Sequence, residues 1–255
     1  RNSKALYKLM KEFNPNCICH FAAQAGVRYS INNPQDSVDN NIFPTLNLLE
    51  SAKKLGVRDF IFASSSSVYG KNSTIPFSEE AVVDTPISVY ASSKIACESL
   101  CYSYHHLTGI RFRILRFFTV YGPWGRPDMF YYLFANSIFE GKSINIFNNG
   151  DMFRDFTYID DIIDGFVAAI NTPLDFEIIN LGCGAPISLE EFIRTLEDIM
   201  GIKAKKNNMP MQPGDVYKTW ADISKAKKLL NYNPKFNIYD GLQQFVDWYK
   251  SYYNY

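Results

Sequence analysis

Three short runs constrain this chain more than anything else in it: "CICHFAA" from Cys17 to Ala23, "VRDFIFAS" from Val57 to Ser64, and "IRFRILRFF" from Ile110 to Phe118. The first is continuously apolar, the form of a parallel strand buried on both faces. Between the runs lie two helical stretches, Asp36 to Leu55 closed by Gly56 and Ser88 to Leu107 closed by Gly109. Strand, helix, strand, helix, strand at this spacing predicts right-handed crossovers and a parallel α/β sheet. Ahead of the first strand, Lys4 to Phe13 has the pattern of a helix, closed by Asn14-Pro15.

After Tyr121-Gly122-Pro123 the texture changes to shorter elements. Helices are predicted over Phe130–Glu140, Asp160–Asn171, Leu189–Met200, Ser224–Leu230 and Tyr239–Tyr252, and strands over Ser143–Phe147 and Phe176–Gly182. The charged "KAKKNN" reads as a solvated turn. The expected division is a first half over residues 1–120 and, over 121–255, mainly a second lobe, with some segments returning to the first half.

Composition narrows the function. An apolar fraction of 47% with 20% charged residues belongs to a globular chain. Lys and Arg number 26 against 26 Asp and Glu, which argues against a nucleic-acid or anionic-membrane surface. No apolar run reaches the roughly 18 residues that a membrane span needs. The five cysteines, Cys17, Cys19, Cys97, Cys101 and Cys183, hold no C-x-x-C pair and read as reduced core thiols rather than a zinc site. His105 and His106 are adjacent near a helix end, so at most one faces inward. No secretion signal is visible, and the expected location is the cytoplasm.

In an open parallel sheet, ligands lie beyond the carboxyl ends of the strands. Those ends here are "FAAQAG", "ASSSSVYG" and "LRFFTVYGPWGR", all rich in small, hydroxyl or glycine residues. Shortly after the second comes "VYASSK", with Lys94 four places after Tyr90. On a helix that spacing puts both side chains on one face, where a cation favours the phenolate. Each piece has a plainer reading: the serines as a strand-end turn with capping hydroxyls, and Tyr90 and Lys94 as an ordinary amphipathic pair. Together, in this order, they predict a catalytic tyrosine.

The motifs "HFAAQAGVRYSI", "SSSSVYG", "SVYASSK", "LRFFTVYGPWGRPDM" and "RDFTYIDD" resemble the extended short-chain dehydrogenase/reductase superfamily, the NAD-dependent epimerase/dehydratases. Within it they look most like UDP-glucuronate 4-epimerases. The resemblance implies a doubly wound Rossmann-type sheet, a smaller C-terminal α/β substrate lobe, NAD as cofactor and a UDP-sugar as substrate. It implies Tyr90 as the base for the sugar 4-OH, Ser65 as the hydroxyl on the 4-oxygen with Ser66 or Ser67 assisting, and Lys94 on the nicotinamide ribose. Lys94 would also lower the Tyr90 pKa. Bringing a tyrosine from about 10 to about 7 takes about 4 kcal/mol, from one buried lysine and a cationic cofactor together. Ala22, Ala23, Gln24, Ser64, Phe117 and Val120 would lie along NAD, with Asn41 as a supporting residue. Thr119 and Arg126, and less directly Arg28, would take the sugar carboxylate, since Arg presents a planar fork. Arg154 and Asp215 would meet the nucleotide; the plainer reading of Arg154 is a salt bridge to Asp155 or Asp160.

The serine run also separates this chain from its neighbours in the superfamily. Dehydratases of this kind carry an acidic pair there, because eliminating water needs an extra acid and base. Only serines stand between Ala63 and Val68. The rivals to the uronate reading are a UDP-glucose or UDP-N-acetylglucosamine 4-epimerase and an inactive remnant. The remnant arises because the superfamily's Gly-rich phosphate turn is absent and the chain starts at Arg1, as a truncated record would. Cys17 to Ala22 then corresponds to the family's fourth strand, and the expectation is that its bared edge makes this segment alone poorly soluble. A homodimer through a four-helix bundle built from the two long helices completes the expectation.

Overall fold

The computed structural model describes residues 2–71, 74–211 and 217–255. Helix α1 (Ser3–Phe13) is capped by the Asn2 side chain and ends where Asn14 turns left-handed before Pro15. Strand β1 (Cys17–His20) follows and is shorter than its apolar run. The predicted helix from Asp36 is reached through α2 (Val27–Asn32) and α3 (Pro34–Ser37), a π turn over Val38–Ile42, and α4 (Phe43–Leu55). Then come β2 (Asp59–Ser65), a tight turn over Ser66–Tyr69, α5 (Val89–Thr108) and β3 (Arg111–Phe117).

The later half adds β4 (Thr119–Tyr121), α6 (Phe130–Phe139), β5 (Ser143–Phe147), β6 (Phe153–Tyr158), α7 (Ile159–Asn171) and β7 (Phe176–Leu181). It closes with β8 (Pro186–Ser188), α8 (Leu189–Met200), β9 (Lys205–Met209), β10 (Lys218–Thr219), α9 (Ser224–Leu230) and α10 (Ile238–Tyr253).

The first sheet runs β1-β2-β3-β7 and is parallel throughout. Its register aligns Ser65 with Phe117 and Phe117 with Leu181, so these carboxyl ends come level. One face packs Phe60, Phe62, Phe112 and Ile114 against Leu49 and Ala52 of α4 and Cys97 and Cys101 of α5. The other packs Ile61, Leu115 and Ile179 against Ile162 and Ala169 of α7 and Ala226 and Leu230 of α9. Helices therefore cover both faces, the doubly wound arrangement.

A second core, dominated by Tyr121, Tyr131, Phe156, Phe192, Phe245 and Tyr249, lies among α6, α8, α10 and the smaller sheets β10-β6-β4 and β5-β9. Two expectations need correction. "KAKKNN" is not simply a turn: Lys205–Met209 form β9, paired in parallel with β5 from Ser143↔Lys205 to Phe147↔Met209. Its side chains are nearly all exposed, so the pairing stabilises the backbone while the sequence keeps the polarity of a loop. Of the thiols read as core, Cys97 and Cys101 are buried, but Cys17 is only half-buried and Cys19 is exposed on the outer strand. Among the described residues, no helix is long and apolar enough to cross a membrane.

Candidate active site

Beyond the ends of β2 and β3 opens a cleft of about 650 Å³. Its β2 side is set by the serine turn. The Ser65 hydroxyl accepts from the Ser67 backbone N–H at 3.2 Å and its hydroxyl at 3.0 Å, pinning the chain as it leaves the strand. The turn then presses against residue 85: a Cβ on Gly70, whose φ is +63°, would lie 2.1 Å from the Thr85 carbonyl oxygen. Only glycine fits there.

Helix α5 supplies the opposite groups. Ser88 caps it, accepting from the Ala91 N–H at 3.1 Å, which places Tyr90 in the first turn. Lys94, one turn on, is 4% exposed and donates to the Ala63 carbonyl at 2.7 Å. Its ammonium sits 4.9 Å from the Phe62 ring centre and 5.9 Å from that of Tyr90. Tyr90 and Lys94 thus share a helix face, as the spacing predicts.

Their electrostatics are set first by burial. Burial pushes the Tyr90 phenol up; a hydrogen bond with Ser65 and the positive charge of Arg126 pull against it. Burial likewise draws Lys94 down to about 8, against the nearby Cys97, Glu98 and Cys101, which favour its cation. The lysine therefore does not turn Tyr90 into a phenolate by itself. Its ammonium is desolvated and already engaged with Ala63.

Of the residues implied by the sequence, Ala23, Ser64, Ser65, Ser66, Ser67, Tyr90, Lys94, Phe117, Thr119, Val120, Arg126 and Arg154 line this one cleft. Ala22 and Gln24 do not. Ala22 is exposed, and both backbone groups of Gln24 are held by Asn41, through a 2.7 Å bond to Oδ1 and a 3.2 Å bond from Nδ2. Asn41 also donates to the Ser93 hydroxyl at 2.9 Å, so it ties the turn after β1 to α5 as a supporting residue. The Ser64 hydroxyl is buried on the Glu98 carboxylate instead of free in the cleft.

The arginines occupy looser ground. Arg126 lies in an exposed loop, its Nε and Nη2 donating to the two carboxylate oxygens of Asp128 at 3.0 and 2.9 Å. That loop is drawn in at Gly125, where a Cβ would meet the Tyr131 hydroxyl at 1.7 Å. Arg154 borders both this cleft and a neighbouring cavity of about 540 Å³, and donates to the carbonyls of Phe153 at 2.9 Å and Tyr217 at 3.2 Å. Asp155 is buried elsewhere, accepting from the N–H groups of Cys183, Gly184 and Ala221. Of these two cavities Arg28 borders the second, over the Phe147 ring at 4.8 Å. Asp215 lies outside the described residues.

The cleft suits a dinucleotide. Ala23, Ala25 and Gly26 leave one wall without bulk, so a ligand can approach the backbone there. Lys94 presents a buried ammonium with three donors. The fold and this site define a class: α/β proteins with a Tyr-x-x-x-Lys pair and a serine at the strand end. Residues 1–182 match the family model described as "NAD dependent epimerase/dehydratase family", and the chain belongs to that family. It is 49% identical over 250 residues to a UDP-glucuronate 4-epimerase of Thermodesulfobacterium geofontis, covering 98% of this chain and 77% of that protein. The UDP-glucuronic acid 4-epimerase of Bacillus cereus, solved with UDP-glucuronic acid and NAD, superposes with a TM-score of 0.91 at 42% identity, over 97% of this chain and 79% of that one. A Thermotoga maritima UDP-glucose 4-epimerase solved with UDP-glucose gives 0.94 at 28% identity, over 99% and 82%.

Proposed function

We propose that this chain is an NAD-dependent UDP-glucuronate 4-epimerase, an isomerase that interconverts UDP-glucuronate and UDP-galacturonate. The observation carrying this reading is the convergence of Ser65, Tyr90, Lys94, Thr119 and Arg126 on one cleft. Bound NAD supplies a hydride acceptor that becomes the donor for the return step. Tyr90 takes the proton of the sugar 4-OH as the C4 hydrogen leaves as hydride, and later returns the proton to the 4-oxygen. Ser65 hydrogen-bonds that oxygen and Lys94 holds the ribose. The 4-keto sugar turns in the cleft and receives hydride on its other face, which inverts C4. Thr119 and Arg126 hold the carboxylate, with Arg28 behind them, while Arg154 and Asp215 serve the nucleotide end. The serine turn offers no acid for loss of water, which favours plain epimerisation.

The test is incubation with UDP-glucuronate and chromatographic separation of the 4-epimers. UDP-galacturonate should form, and Tyr90→Phe should lower kcat about 10³-fold, within the range a general base contributes. Turnover of UDP-glucose or UDP-N-acetylglucosamine in place of the uronate would overturn the substrate assignment.

The same reading includes a homodimer and a cytoplasmic location. Exposed Phe43 on α4 and exposed Tyr102 and Leu107 on α5 support pairing of these helices between two copies, which light scattering would measure. Free thiols at half-buried Cys17 and exposed Cys19 suit a reducing compartment.

A further inference from the structure

Tyr90, Lys94 and Glu98 follow one another at four-residue steps along α5 and share a face. That face meets three consecutive residues at the end of β2. Lys94 donates to the Ala63 carbonyl at 2.7 Å, Glu98 accepts from the Ser64 hydroxyl, and Tyr90 pairs with Ser65. The middle rung is locked from β3. Arg116 grips Glu98 with two bonds, Nε to Oε1 at 3.1 Å and Nη2 to Oε2 at 2.7 Å. The side chains are 2% and 7% exposed. Arg116 also lies 4.9 Å from the Tyr69 ring centre, and the Tyr69 hydroxyl donates to Asn180 of β7 at 2.7 Å.

Buried ion pairs are weak sources of stability, because apolar residues of similar volume often serve as well or better. This one stands directly behind the reacting groups, and the mechanism above uses neither member.

We propose that Glu98, locked by Arg116, is a positioning residue: by holding Ser64 it fixes Ala63 and Ser65 against α5, and so aims Lys94 and Tyr90. The proposal rests on the catalytic reading above. It has an electrostatic consequence as well. The titratable groups that face Lys94 are His20 from β1 and Tyr90, Cys97, Glu98 and Cys101 from α5. Burial keeps His20 neutral, and keeps both thiols and the phenol protonated. Glu98, paired with Arg116, is the carboxylate in that set.

The experiment compares wild type, Ser64→Ala, Glu98→Gln and the double variant Glu98→Leu/Arg116→Met, each assayed on UDP-glucuronate and UDP-glucose and titrated with NAD. Glu98→Gln should lose about 10²-fold in kcat, the scale of a misplacement near 1 Å. Ser64→Ala should lose about tenfold, as a hydrogen bond to a charged group is worth. KM and the NAD Kd should stay within about threefold, because binding is not what these residues arrange. The alkaline limb of kcat should move to lower pH in Glu98→Gln, where Lys94 loses its carboxylate neighbour, and stay in place in Ser64→Ala. The double variant removes Arg116 together with its partner, so it should melt above Glu98→Gln and remain as slow. Recovery of wild-type kcat in the double variant, or kcat within about twofold of wild type in both single variants, would overturn the proposal. Wild-type activity on UDP-glucose alone would sink the uronate assignment and leave Glu98 to be judged on that sugar. Activity on neither sugar would overturn both.

Discussion

The groups proposed to react and the arginines proposed for the substrate rest on opposite foundations. Lys94 is 4% exposed, and its carbonyl partner, Ala63, is 31 residues away in sequence. Behind it, Glu98 and Arg116 are buried and tied to each other across two elements. Arg126 is in an exposed loop, with a side chain 46% exposed, and is paired with Asp128 only two residues on. A buried polar group that loses its partner leaves the other uncompensated, whereas an exposed pair contributes little. The proposed chemistry, which must be aimed to a fraction of an ångström, would therefore be held by long-range buried contacts. The proposed recognition of the sugar would sit where side chains can change without disturbing the core.

That contrast can be broken in three places. The largest effect belongs to Lys94→Met. Removal of a buried donor from the site should lower kcat by about 10²-fold or more on any UDP-sugar, because the loss falls on the shared step. Steady-state assays on two sugars would show it; a loss confined to one sugar would place Lys94 with specificity. Next, Arg126→Leu should cost about 10–10²-fold in kcat/KM for the uronate, the worth of a charge-assisted bond, and little for UDP-glucose. Equal losses on both sugars would remove Arg126 from the carboxylate. The smallest effect concerns His20, which donates or accepts at 2.9 Å with the Thr45 hydroxyl. Burial, and then the Lys94 charge, draw it down to about 4. The unfolded chain takes up a proton as pH falls from 6.5 and the folded chain resists until about 4, so this residue's contribution to stability is lost across that window. His20→Gln should flatten the fall of Tm there. An unchanged slope would mean that the folded histidine titrates normally.

The strands β2 and β3 and the helices α4, α5, α8 and α10 were legible because apolar period and capping are local properties. Strands β6 and β9 were not. β9 is polar and exposed, and it is a strand only because β5 lies beside it. That Ser65, Tyr90 and Lys94 share one cleft was legible for the same local reason: a four-residue step and a serine at a strand end. That Ala22 and Gln24 stand off the cleft was not legible, because the path of the turn after β1 depends on Asn41, 17 residues further along. Glu98 carried a faint signal, one helical turn beyond Lys94 on the same face. Arg116 and Asp155 carried none, since an arginine in an apolar strand or an aspartate after an arginine says nothing about burial.

The sequence by itself determined the parallel α/β architecture, the family and the order of Ser65, Tyr90 and Lys94. Periodicity and spacing are written between near neighbours. Only the tertiary structure decided which polar groups are buried together, and so the sign of their titration. The spacing of Tyr90 and Lys94 predicts a lowered phenol, but desolvation by the folded chain raises it and draws the lysine down. Desolvation depends on every element packed around a site, and no local stretch of sequence contains it.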